Sequence, residues 1–252
     1  MLYLVVTCLL TGCVVKKDLL QKATPEAPLL KSKPEGYFKA VGTEPFWYLE
    51  ISEERIRFQG TEPEDEFTAT HVEPVLAMDA DVKAYRMNSD NGEMIITIYR
   101  QNCSDQMSDQ LYGYHVDLEV RKRTQKEKVH YSGCGNYTAD YRLFDLWLLE
   151  EVEGRKVSAE NFAGEIPLLE INASEKKFSG YGGCNRISGT LFQERERLRF
   201  TDIISTKRAC GSENMENIFL KALQSSTGYK IKHNRLYLIN PDGIKVILKK
   251  VD

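Results

Sequence analysis

Cysteine has the widest chemical repertoire of any residue here, and its six copies stand at positions 8, 13, 103, 134, 184 and 210. A thiol can carry a lipid, close a disulfide, ligate a metal or act as a nucleophile, and spacing separates these uses. No two cysteines form the Cys-x-x-Cys motif of thiol exchange, and neither downstream pair has the close spacing of a zinc knuckle. The best local ligand set is Cys103, His130 and Cys134, which would bind a metal only as free thiolates. His71, His115, His130 and His233 accompany no Gly-x-Ser-x-Gly elbow and no His-Glu-x-x-His helix. Acidic residues could make a glycosidase pair only by folding together. The glycines of residues 180–183 lack the Lys-Ser/Thr ending of a phosphate loop and read as backbone freedom beside a strand turn. These patterns predict no catalytic residue and no cofactor. Metal binding or sensing, and a hydrolase whose site assembles only in the fold, are the two alternatives.

The first cysteines belong to an address. Residues 1–15 are almost wholly apolar and end in Leu10-Thr11-Gly12-Cys13 before Lys16-Lys17-Asp18. That run falls short of the roughly 20 residues a bilayer span requires. It has the character of a signal peptide's apolar region. Leu-Thr-Gly-Cys resembles the bacterial lipobox, although no Lys or Arg precedes the run. The resemblance implies cleavage before Cys13, loss of Cys8, and a lipid on the Cys13 thiol that tethers the chain to a membrane without spanning it. The competing reading is a buried N-terminal strand with two ordinary thiols. Residues 14–36 then carry Lys16, Lys17, Lys22, Lys31 and Lys33, interrupted by Pro25, Pro28 and Pro34. Such a segment buries too little apolar surface to offset its ordering entropy and is expected to be a flexible tether. Val14, in place of the aspartate that retains lipoproteins at the inner membrane of enteric bacteria, favours the outer membrane facing the periplasm. A formal net charge of −3 leaves nucleic acid little electrostatic footing.

The elements that must position any site read as two small domains, residues 37–141 and 142–252. In the first, residues 46–51 and 55–58 flank Ser-Glu-Glu as a hairpin, residues 94–99 are rich in branched and aromatic side chains, and residues 114–120 and 128–131 flank a basic tip. In the second, Met215, Ile218, Phe219, Ala222 and Leu223 follow helical spacing, with Ser212 as cap and Gly228 beyond the end. Three strands, at residues 229–232, 236–239 and 244–250, follow it, joined by His233-Asn234 and Asn240-Pro241-Asp242-Gly243. The expected class is α+β, predominantly antiparallel β, the second domain being a sheet with one packed amphipathic helix.

Trp147, the run Gly180-Tyr181-Gly182-Gly183-Cys184-Asn185-Arg186-Ile187-Ser188-Gly189, and Ser205-Thr206-Lys207-Arg208-Ala209-Cys210 before Met215-Glu216 carry a family likeness. Residues 142–251 resemble the META (HslJ-like) domain. The resemblance implies a small α+β domain of bacterial envelopes, linked loosely to stress or drug tolerance, with no established reaction. Gly42-Thr43-Glu44-Pro45-Phe46-Trp47, residues 103–109 and Gly133-Cys134-Gly135 more weakly resemble a domain of uncharacterised bacterial lipoproteins, which implies no known chemistry. One cysteine pair falls in each half, so Cys103–Cys134 and Cys184–Cys210 are candidate disulfides in an oxidising compartment, free buried thiols being the alternative. Each closed loop would stabilise its domain by roughly 3–4 kcal/mol. Asn185, Arg186 and Arg208, with Glu44 and Trp47 in the first half, form a candidate binding surface, although each also suits a structural role. The expectation is a non-catalytic, lipid-anchored envelope protein that binds an envelope protein or small ligand, or supports stress tolerance.

Overall fold

Alternating burial organises the chain into two antiparallel sheets. The computed structural model describes residues 36–251 apart from 91, 108, 164, 212 and 213. The expected signal peptide, Cys13 and nearly all of the tether lie outside the described residues, as does Ser212. Gly36, assigned to the tether, is instead buried in the folded body, its N–H donating to Glu50 Oε1 at 2.9 Å.

The first half supplies β1 (Phe38–Thr43), β2 (Phe46–Ile51), β3 (Arg55–Gln59), β4 (Glu66–Thr70), β5 (Val75–Leu76), β6 (Val82–Ser89), β7 (Gly92–Tyr99), β8 (Cys103–Ser104), β9 (Leu111–Tyr112), β10 (Tyr114–Lys122) and β11 (Val129–Tyr137). Nine of these form one sheet in the order β4-β3-β2-β1-β11-β10-β7-β6-β5, and β8 pairs with β9 as a separate flap. The sheet curls until β4 approaches β6. Alternate residues of β2, Trp47, Leu49 and Ile51, point into the core with Phe38, Phe58, Ile96, Val116 and Leu118. Trp47 lies over Gly42, its cross-strand partner, and over Gly133, where any Cβ would strike the indole and the Val41 carbonyl. Its Nε1–H donates to the Ser132 carbonyl at 3.3 Å. The Glu44–Pro45 peptide in the preceding turn is cis.

The second half supplies β12 (Asp145–Val152), β13 (Arg155–Lys156), β14 (Leu168–Asn172), β15 (Lys177–Tyr181), β16 (Arg186–Glu194), β17 (Arg197–Ser205), α1 (Glu216–Ser225), β18 (Gly228–Lys232), β19 (Arg235–Asn240) and β20 (Gly243–Lys250). Its sheet runs β17-β16-β15-β14-β12-β20-β19-β18. The curl nearly closes, because Leu198 N–H donates to Thr227 O at 3.3 Å and Tyr229 N–H to Glu196 O at 2.9 Å. Phe219, Ala222 and Leu223 of α1 enter a separate core with Trp147, Leu169 and Leu248. Two details depart from the expected helix. Ile218 is 38% exposed, and Glu216 is buried on the inward face instead. The start is bonded by Asn214 Oδ1, which accepts the Glu216 N–H at 2.7 Å. At the other end of the sheet, both residues of the His233-Asn234 turn have positive φ, as a tight hairpin demands.

Both sheets lie within one compact unit. The fold is α+β, mostly antiparallel β with a single α-helix among the described residues. None of the described helices is long and apolar enough to cross a membrane.

Candidate functional site

Two places gather the polar residues singled out by the sequence. The first is the loop between β15 and β16. Gly183 has φ +109° and its face abuts the Phe162 ring, while a Cβ on Gly182 would meet Glu216 Oε1 at 2.7 Å. Glycine is therefore required by conformation at one position and by crowding at the next. Glu216, at the start of α1, accepts the N–H groups of Cys184 (3.2 Å) and Asn185 (2.7 Å) on Oε1 and Asn185 Nδ2 (2.7 Å) on Oε2. Asn185 Oδ1 accepts Thr206 Oγ1 at 2.9 Å and the Arg208 N–H at 2.7 Å. The Cys184–Cys210 disulfide, with Cα atoms 6.1 Å apart, closes this knot. A buried carboxylate held by three N–H donors at a helix N-terminus is well matched to its surroundings. Asn185 is thus consumed internally, whereas Arg186 and Arg208 are exposed, with no ion pair to either guanidinium among the described residues. Cys184, Cys210 and Glu216 place one ligand atom each within 4.8 Å of one another, but both sulfurs are committed to the bridge.

The second place is the outer face of the first sheet, around the Cys103–Cys134 disulfide, whose Cα atoms are 5.5 Å apart. Ladder pairing sets His115 opposite both Cys134 and Tyr99, Asp117 opposite Ser132, and Glu119 opposite His130. His115 Nε2 lies 3.1 Å from Asp117 Oδ1 and 3.5 Å from Ser132 Oγ, while Nδ1 lies 3.8 Å from Cys103 Sγ. Serine and aspartate meet the same ring nitrogen, which is not the relay of a serine hydrolase. A groove of about 500 Å³ runs alongside, lined by Glu44, Tyr99, Asp117, Glu119, His130 and Ser132 among others. The metal set Cys103, His130 and Cys134 is not assembled. Both sulfurs are bonded to each other, and His130 stands four strand residues from Cys134, roughly 13 Å along the ladder. The sequence had no signal for His115, because only the ladder brings it beside sulfur. Of the two first-half candidates, Glu44 is exposed at the groove and Trp47 is 4% exposed in the core.

Against known proteins, residues 142–252 match the META domain family model. Residues 142–252 are a META domain. META is an envelope-associated domain of uncertain function. Among solved structures, an NMR structure of a protein from Burkholderia xenovorans is 24% identical, covering 44% of this chain and 85% of its own, with a TM-score of 0.36. A second NMR structure is 21% identical, covering 43% and 90%, with a TM-score of 0.35. No curated protein matches the chain.

The META domain also packs against the first sheet through side chains. Its β16–β17 hairpin brings Glu194, 1% exposed, against Lys83, Tyr114 and Tyr137 of the first half. Glu194 Oε2 accepts Lys83 Nζ at 2.7 Å and Arg197 Nη1 at 3.0 Å, and Oε1 accepts the Tyr114 hydroxyl. Lys83 Nζ also donates to Tyr137 Oη at 2.8 Å and sits 4.7 Å from that ring's centroid. Burial, then the Glu194 carboxylate, push the Tyr114 hydroxyl far above the ordinary tyrosine range, so it remains a donor. At the hairpin tip, Arg195 forks onto Glu53 (2.6 Å) and Glu73 (2.8 Å) and lies over the Tyr37 ring. Every fully buried side-chain N or O among the described residues has a partner.

Proposed function

We propose that this protein is a non-catalytic component of the bacterial envelope, lipid-anchored through Cys13 at the outer membrane, whose folded body docks another envelope component. Exposure of Arg186 and Arg208 carries this reading. Their backbones are adjacent: Thr206 N–H donates to the Arg186 carbonyl at 3.0 Å, and the Arg208 N–H is held by Asn185. The META knot therefore fixes where both side chains emerge while leaving their charges without an ion-pair partner among the described residues. Guanidinium groups suit carboxylate and phosphate recognition, so the expected partner surface is anionic.

The test uses the full chain in its native envelope. Cys13→Ser should abolish lipid labelling and release the protein from membranes. A photocrosslinker at Lys207 should capture a discrete partner, lost in Arg186→Glu/Arg208→Glu. Capture unchanged in that double variant would refute the docking surface. Turnover of a defined substrate, lost on one polar substitution that leaves the fold intact, would overturn the non-catalytic assignment.

A further inference from the structure

We propose that Cys103–Cys134 is a thiol-exchange site, reduced by a dithiol protein of the envelope and activated by His115 and Asp117. Three observations carry this. Cys103 lies on the β8–β9 flap and is partly exposed, whereas Cys134 is 2% exposed in the sheet, so an incoming thiolate reaches the Cys103 sulfur first. His115 Nδ1 faces that sulfur at 3.8 Å, and Asp117 holds Nε2 at 3.1 Å. A carboxylate at Nε2 selects the tautomer with its proton there, leaving the Nδ1 lone pair toward Cys103. Cysteine, histidine and aspartate then stand in line, one on each ring nitrogen, which is the arrangement that activates a thiol through an oriented base.

The groups facing His115 are Asp117 on its own strand, Tyr99 on β7, Ser132 and Cys134 on β11, and Cys103 on the flap. Lys39, Glu44, Glu119 and His130 lie farther along the same outer face.

The second bridge provides an internal contrast. Cys210 is also partly exposed, but Glu216 Oε2 lies 3.9 Å from its sulfur, so a full negative charge opposes an approaching thiolate. Asn185 Nδ2 at 3.4 Å offers only a neutral donor. Beside Cys103 the facing group is a histidine ring nitrogen, with the nearest carboxylate, Asp117, on the far side of that ring.

In the exchange, a partner thiolate attacks Cys103 Sγ. The Cys103–Cys134 bond breaks, and its electron pair leaves on Cys134, which takes up a proton. The partner's second thiol attacks its own sulfur in the mixed disulfide, forming the partner's disulfide and expelling Cys103 as a thiolate. That thiolate takes up the second proton, with His115 as its immediate proton partner. Two electrons and two protons pass from the dithiol to the bridge. The flap then loses its covalent tie to β11. This reaction is independent of the Arg186/Arg208 docking surface.

The experiment treats the full chain with dithiothreitol, or with glutathione to trap the mixed disulfide, and locates alkylated and adducted cysteines by mass spectrometry. Cys103–Cys134 should open about tenfold or more faster than Cys184–Cys210, and the adduct should sit on Cys103. Once freed, Cys103 should alkylate with a pH midpoint below the ordinary thiol value of about 8.5. His115→Ala should raise that midpoint by about one pH unit or more, Asp117→Asn by less, and Ser132→Ala should leave it in place. Near-ultraviolet circular dichroism of the oxidised variants reports the fold, and Asp117→Asn serves if His115→Ala does not fold. Equal opening of both bridges, opening only in denaturant, an adduct on Cys134, or a midpoint indifferent to both His115 and Asp117 would each overturn the proposal.

Discussion

Truncating Glu194 to alanine should separate the energetics of the two sheets. The carboxylate is 1% exposed and Lys83 11%, so solvent does not screen the pair. Among the described residues, its removal leaves the Lys83 ammonium with the Tyr137 hydroxyl and ring, and leaves Tyr114 without its acceptor. Breaking a buried pair from one side costs about 3–5 kcal/mol, chiefly because the remaining charge stays buried. Lys83→Met should cost less, about 2 kcal/mol, because Glu194 keeps Arg197 and Tyr114. Replacing both, as Lys83→Met/Glu194→Leu, should recover most of the loss, since an apolar pair of similar volume is often neutral or stabilising. Urea unfolding of these proteins, with Glu194→Leu alone added as the matching single variant, closes the cycle. The Glu194→Ala loss should persist at high salt, because a buried pair is only weakly screened, and the variant should unfold in two transitions. A Glu194→Ala loss below about 1 kcal/mol, or single losses that simply add in the double variant, would refute the reasoning.

Arg195→Ala should cost about 1 kcal/mol or less and lose its effect in salt, because Glu53 and Glu73 are more than half exposed; thermal melts at low and high ionic strength check this. Asn185→Ala should destabilise the META sheet by about 2–4 kcal/mol by depriving Glu216 Oε2 of its amide donor and Thr206 and Arg208 of their acceptor, measured by urea unfolding. Gly183→Ala should cost about 2–4 kcal/mol through positive φ and collision with Phe162, seen as a lower Tm with Cys184–Cys210 still closed. At Asp140, burial pushes the carboxyl up, but bonds from Arg142 and Tyr229 outweigh it and hold it below the usual aspartate range. A depressed carboxylate stabilises the fold above its unfolded pKa, and that contribution disappears as pH falls through the folded one. Asp140→Asn should therefore cost about 1 kcal/mol at pH 7, Arg142 being half exposed, and less at about pH 3, below the unfolded carboxyl's pKa. Paired urea titrations at the two pH values test the sign.

Strands were legible where period-two alternation met turn chemistry. β2 and β3, β10 and β11, and the final three strands needed nothing more. The failures share one cause, which is that neighbours in sequence are not neighbours in a sheet. His130 and Cys134, four positions apart, make the best local ligand pair by sequence, but that spacing brings side chains together on a helix and sets them roughly 13 Å apart on a strand. His115, nineteen positions away by subtraction of 115 from 134, is the true cross-strand neighbour. In α1, the Met215–Ile218 apolar spacing hid the inward turn of Glu216, because a carboxylate's backbone donors lie in a loop more than thirty residues earlier.

Glu194 shows the same limit between sheets and says why polar groups sit there. Ile187 and Leu191, at odd positions of β16, face the META core, so Glu194 points away from it and reads as a solvated strand end. It is buried because the first sheet covers it. Lys83 shares the inward face of β6 with Tyr85 and Met87, and the nearest acid in sequence, Asp81, is engaged by Arg100 instead. An apolar plug at this junction would gain from any close packing and tolerate sliding. A carboxylate that must meet an ammonium, a guanidinium and a phenol at once leaves a misplaced hairpin with a buried unpaired charge, which costs several kcal/mol. The junction thus exchanges some stability for one relative placement of β16–β17 on β6, β10 and β11. That placement also fixes the distance from the exposed arginines of the META knot to the disulfide on the outer face. A partner that uses both would require that distance to be constant, and the Lys83→Met/Glu194→Leu protein, folded but without the charge lock, is where a dependence on it would appear.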